Sequence, residues 1–89
     1  MLNPEQIEKA IVSALPGAAV KVIDTTGTSD HFDAIVVWNG FEGKSLVEQH
    51  QLVMNPLKEA FDGPLHALAL KTYTPEAWKK KKEMRSENR

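Results

Sequence analysis

The sequence predicts a small two-layer α+β domain of order helix–strand–strand–helix–strand–helix, with helices packed on a three-stranded mixed sheet. Three observations carry this. Two short β-type segments, around Val20–Ile23 and Phe32–Trp38, lie close enough to form an antiparallel hairpin. A third, Leu65–Tyr73, follows a helical stretch, and a crossover of that length implies a parallel, right-handed connection. Three stretches open with helix-start chemistry.

The first helix spans 4–15. Asn3 is its cap, Pro4 its first residue and Gln6 the capping-box partner, while Leu2 and Ile7 stand at staple positions. Ile7, Ala10, Ile11, Ala14 and Leu15 repeat at helical spacing, and Pro16-Gly17 ends the run. A turn-rich loop, Asp24–Asp30, separates the first two strands. The second strand is apolar almost throughout its middle, as a central strand covered at least partly on both sides would be. Asn39-Gly40 punctuates it. Ser45 and Glu48 form a capping box ahead of a stripe at Leu46, His50, Val53, Leu57 and Phe61. Pro56 removes the hydrogen bond to Leu52 and is expected to kink or divide this helix near Asn55. The third strand puts His66, Leu68 and Leu70 on one face and Ala67 and Ala69 on the other. Thr74-Pro75-Glu76 starts the last helix, with Tyr73 and Trp78 at staple positions.

At 89 residues the chain is one domain, assigned to residues 1–82, followed by a basic, frayed tail at 83–89. It contains no cysteine, which excludes disulfides, thiolate ligands and cysteine nucleophiles on this chain. No apolar run is long enough to span a bilayer, and Met1-Leu2-Asn3-Pro4-Glu5 lacks the pattern of a secretory signal, so a cytoplasmic location is expected. The net charge of −1 is unevenly spread. Residues 79–89 carry six Lys/Arg against two Glu, whereas residues 1–78 carry five Lys/Arg against ten Asp/Glu. A basic end on an acidic body suits a nucleic acid or an acidic partner, or is simply a solvated helix end.

No serine has an adjacent base in a readable pattern, and there is no phosphate loop or HExxH, so no catalytic constellation is present. The histidines are more informative. His31 opens the second strand and His66 the third. If those strands are parallel neighbours, the two histidines share one sheet edge, roughly 5 Å apart per strand spacing. Imidazole suits iron and replaces cysteine at some iron–sulfur clusters. His50 falls in the apolar stripe and reads as a packed group. Gly40-Phe41-Glu42-Gly43 spells the GXXG of KH nucleic-acid loops, but Glu42 would repel phosphate.

Taken in order, Asp30-His31-Phe32, Ile35-Val36-Val37, Phe41-Glu42-Gly43-Lys44-Ser45 and His66-Ala67-Leu68 through Thr74-Pro75-Glu76-Ala77-Trp78 resemble the BolA family. The resemblance runs from about Asp24 to Trp78. It implies a fold similar to the type II KH domain. It also implies a non-enzymatic adaptor that binds a monothiol (CGFS) glutaredoxin and helps coordinate a bridging 2Fe–2S cluster, with glutathione supplied from the partner's side. His66 takes the position of the family's most constant cluster ligand. The family's second ligand, a Cys or His, lies in the loop before the second strand, where His31 is the available residue. The family often flanks the position of His50 with arginines; here Gln49 and Gln51 stand instead. The alternative reading is a KH-like, nucleic-acid-binding transcriptional regulator, acting through Lys44, Lys79, Lys80, Lys81 and Lys82. Expected partners are thus a glutaredoxin, nucleic acid in weak contact, and a second copy, with no membrane.

Overall fold

The computed structural model describes residues 3–25, 27, 31–60 and 68–87, with side chains as far as Glu83. The elements are α1 (Pro4–Ala14), β1 (Ala19–Asp24), β2 (Phe32–Val37), a 3-10 turn (Asn39–Phe41), α2 (Leu46–Ala60), β3 (Leu68–Tyr73) and α3 (Pro75–Glu87).

Helix α1 begins where its cap dictates. The Asn3 side chain accepts from the Gln6 N–H at 2.9 Å, and the Gln6 side chain accepts from the Asn3 N–H at 3.0 Å. Ile7 and Ile11 are fully buried. Gly17, at φ +89°, then turns the chain into β1. Leu2, the other half of the expected staple, lies outside the described residues.

The sheet order is β1-β2-β3. β1 pairs antiparallel with β2, with Lys21 opposite Ile35, and β2 pairs parallel with β3, with Phe32 opposite Leu68. The predicted hairpin and crossover are therefore both present. Phe32, Ala34 and Val36 point inward and join Ile7, Ile11, Leu15, Val22, Phe41, Val53 and Leu57 in one core. On the other side of β2, Asp33 is exposed while Ile35 and Val37 are half-buried. β1 is an edge strand, and its outward Val22 N–H donates to the Glu8 carboxylate of α1 at 3.0 Å.

Beyond β2, the Trp38 indole donates to the Pro16 carbonyl at 3.0 Å and meets Phe41 edge-on at 5.4 Å. The indole covers Gly40 so closely that a Cβ there would lie 2.5 Å from ring carbons. The Ser45–Glu48 capping box forms in both directions, at 2.9 and 3.2 Å.

Two expectations for α2 are corrected. The helix is not divided at Pro56; it runs unbroken from Leu46 to Ala60. An interior proline costs about 3 kcal/mol, and burying Val53 and Leu57 on either side of Asn55–Pro56 recovers about 1.5–3 kcal/mol each. Leu46 does not join the core stripe but is 66% exposed, although Gln49 in the same turn is buried against Thr72 of β3. The buried ladder is Gln49, Val53 and Leu57, with His50 half-buried beside it. Phe61 and residues 65–67 lie outside the described residues.

Helix α3 is capped by the Thr74 hydroxyl, which accepts from the Ala77 N–H at 3.1 Å. The Tyr73–Trp78 staple forms, with ring centroids 5.2 Å apart. The helix continues to Glu87, past the boundary drawn at residue 82.

Candidate functional site

His31 stands at the mouth of β2 and is exposed. Its backbone is held firmly. The carbonyl accepts from both the Thr25 N–H, at 2.9 Å, and the Thr25 hydroxyl, at 3.1 Å. On the other stem, the Gly27 N–H donates to Asp24 Oδ1 at 3.0 Å. Thus the main chain of His31 is pinned across the base of the loop, while its imidazole faces solvent and bonds to no described residue. An exposed imidazole keeps a ring nitrogen available as a donor to a metal whose other ligands come from elsewhere.

His66, the first-ranked ligand of the sequence reading, lies outside the described residues. Two residues later in sequence, Leu68 pairs in parallel with Phe32, the residue that follows His31. The predicted juxtaposition thus rests on a register that the structure contains. No cluster of three or more metal-ligating side chains occurs among the described residues. Any metal held at His31 therefore needs ligands beyond these.

The basic candidates lie on the turn before α2 and along α3. Lys44 is exposed on the turn before α2. The Lys44 carbonyl accepts from Gln49 Nε2 at 2.9 Å. Beside it, the Glu48 carboxyl is held below its ordinary value, first by the Ser45 backbone N–H, then by the Ser45 hydroxyl, with Lys44 adding attraction against slight desolvation. Lys80 pairs with Glu76 at 3.6 Å, and Lys81 sits 5.7 Å from the Tyr73 ring centroid. Lys79 and Lys82 are exposed, with no ion pair among the described residues. The GXXG-like turn abuts the start of α3 across a groove of about 410 Å³ lined by Glu42, Gly43, Thr74, Glu76 and Lys80. Two carboxylates there oppose phosphate, so the objection raised by Glu42 is doubled by Glu76.

Sequence reasoning missed one constellation. Gln49 and Thr72 are buried, and the Thr72 hydroxyl donates to Gln49 Oε1 at 2.6 Å. With the bond to the Lys44 carbonyl, this amide ties the turn before α2 to β3. The available signal was a polar residue on the four-residue ladder Gln49, Val53, Leu57.

Comparison with known proteins follows the same lines. A family model described as BolA-like protein matches residues 2–77. BolA-like protein 1 of Bos taurus is 40% identical over 93% of this chain, which spans 57% of that protein's length. The DNA-binding transcriptional regulator BolA of Escherichia coli is 29% identical over 88% of this chain and 81% of its own. The structure of a BolA protein homologue from Coxiella burnetii superposes with a TM-score of 0.74 at 32% identity, covering 89% of this chain and 99% of that one.

Proposed function

Because this chain belongs to the BolA-like protein family, we propose that it is a non-enzymatic adaptor that docks a monothiol glutaredoxin and lends imidazole ligands to a shared 2Fe–2S cluster. The observation that carries this reading is His31: its carbonyl is doubly clamped by Thr25, while the residue is exposed and its imidazole bonds to no other described residue. The complete lack of cysteine on this chain leaves thiolates, and glutathione, to the partner. His66 supplies the second imidazole. When bound, the cluster supplies iron sites whose potential nitrogen ligation raises. The chain's own part is to hold one face of it at the mouth of β2 and β3. The role served is cluster maturation, trafficking or iron regulation.

The test is co-expression with a CGFS glutaredoxin, comparing wild type with His66→Ala and His31→Ala. The wild-type pair should purify as a coloured heterocomplex. Each variant should keep its fold and still dock the apo partner, but lose the histidine signature and shorten the cluster's lifetime. Wild-type absorbance, circular dichroism and lifetime in His66→Ala would refute the reading.

The second reading, a nucleic-acid-binding regulator, is favoured by the exposed Lys79 and Lys82, which form no ion pair among the described residues, and by what the Escherichia coli relative is called. It is opposed by Glu42 and Glu76 at the GXXG-like turn. In this reading Lys79 and Lys82 contact phosphates without selecting sequence.

A further inference from the structure

Helices α1 and α2 cover one face of the sheet, and among the described residues α3 meets β3 through Trp78, whose ring lies 5.2 Å from that of Tyr73 at the strand's end. The other face of the sheet carries two rows of side chains. Lys21, Ile35 and Lys71 form one, and Ile23, Asp33 and Ala69 the next. They line a groove of about 290 Å³. Ile23 is 47% exposed, Ile35 is half-buried, and both lysines are exposed with no ion pair among the described residues.

We propose that this face docks one acidic amphipathic helix from a partner protein. The dimensions select a helix. Lys21 and Lys71 stand on the outer strands in one register row, about 10 Å apart by two strand spacings, and a helix is about 10–12 Å across. Laid along β2, it would press an apolar stripe on Ile23, Ile35 and Ala69 and reach a cation on either flank with carboxylates. The opposite face shows that this sheet accepts helices. The charges orient the occupant. Asp33 lies on the midline of the next row, about 7–8 Å diagonally from each lysine. The positive end of a helix dipole belongs over it, and the acidic flanks belong about one turn later. A second copy packing sheet on sheet is disfavoured, since this face offers roughly 300 Å², against about 800 Å² per partner in a stable interface. The inference does not depend on the cluster reading.

The probe is a synthetic peptide of about 15 residues, helical, with a leucine stripe flanked by glutamates one turn from its N-terminus. It is titrated into ¹⁵N-labelled full-length protein. A control peptide carries lysines in place of the glutamates. Shifts should centre on the amides of Lys21, Ile23, Ile35, Ala69 and Lys71, and affinity should fall with added salt. The double variant K21E/K71E should weaken binding about tenfold and come to favour the lysine peptide. Its amide spectrum checks the fold, and Ile23→Ser supplies a second, uncharged test that should also weaken binding. The proposal is overturned if shifts map to α2 or α3, if none occur at millimolar peptide, if K21E/K71E binds both peptides as wild type does, or if these amides prove to be covered by a second copy in solution.

Discussion

Consider Thr72→Val, which exchanges a hydroxyl for a methyl of nearly the same volume at a residue 8% exposed. It removes the 2.6 Å bond to Gln49 Oε1 and creates no cavity. The amide oxygen, on a residue 9% exposed, is left without its partner. A stranded buried acceptor costs about 1–3 kcal/mol. For a domain of this length that corresponds to roughly 4–8 °C in Tm per kcal/mol. Gln49→Met strands the Thr72 hydroxyl and also releases the Lys44 carbonyl, so it should cost at least as much. Combining the two removes both stranded groups at once. The double variant should therefore be less destabilised than the sum of the singles, by about 1 kcal/mol. Equilibrium urea unfolding of the four proteins, with equal m-values, reads the coupling directly. Strict additivity would show that the bond contributes nothing specific, and that these two positions matter only through volume.

Gly40→Ala should drive a methyl into the Trp38 ring. Displacing the indole breaks its bond to Pro16 and its contact with Phe41, costing on the order of 2 kcal/mol with a shifted tryptophan emission spectrum; unchanged emission and stability would refute the close packing. The Glu48 carboxyl is depressed in the folded state, so its contribution is present above its unfolded value and is lost as pH falls through the lower, folded one. Glu48→Gln should flatten the acid limb of a stability–pH profile, and an identical limb would deny Glu48 any part in it. Deleting residues 79–89 should abolish a weak, sequence-blind, steeply salt-dependent nucleic-acid affinity; tight, selective binding that survives the deletion at physiological salt would reverse the ranking of the two functions.

The caps were legible because they act within four residues: Asn3 with Gln6, Ser45 with Glu48 and Thr74 with Ala77 each form as spacing dictates. The parallel orientation of β2 and β3 was legible from connection length alone. What failed was the extent of the stripe. Leu46 has the right angle to be buried but is 66% exposed, while Gln49 in the same turn is buried, and periodicity does not report which positions on a stripe meet a neighbour. Pro56 differs. Local chemistry allows a kink or a break, and burial contributed by residues distant in sequence overrides the break. The Gln49–Thr72 pair joins residues 23 apart, beyond any local pattern. Of the candidate site, the exposed imidazole of His31 was foreseeable, but the double clasp by Thr25 was not, since it depends on how the hairpin closes.

The contact between Glu8 and Val22 governs how this molecule can grow. An uncovered edge strand is a template on which another chain can extend the sheet. At β1 one outward N–H, that of Val22 in the middle of the strand, is already taken by the Glu8 carboxylate from α1. That carboxylate plays the part of a neighbouring strand's carbonyl but cannot pass the pairing on, because it has no N–H to offer. It also sets a negative charge where an incoming backbone would have to lie. A single helical side chain thus occupies the middle of the β1 edge and opposes lateral extension at that point.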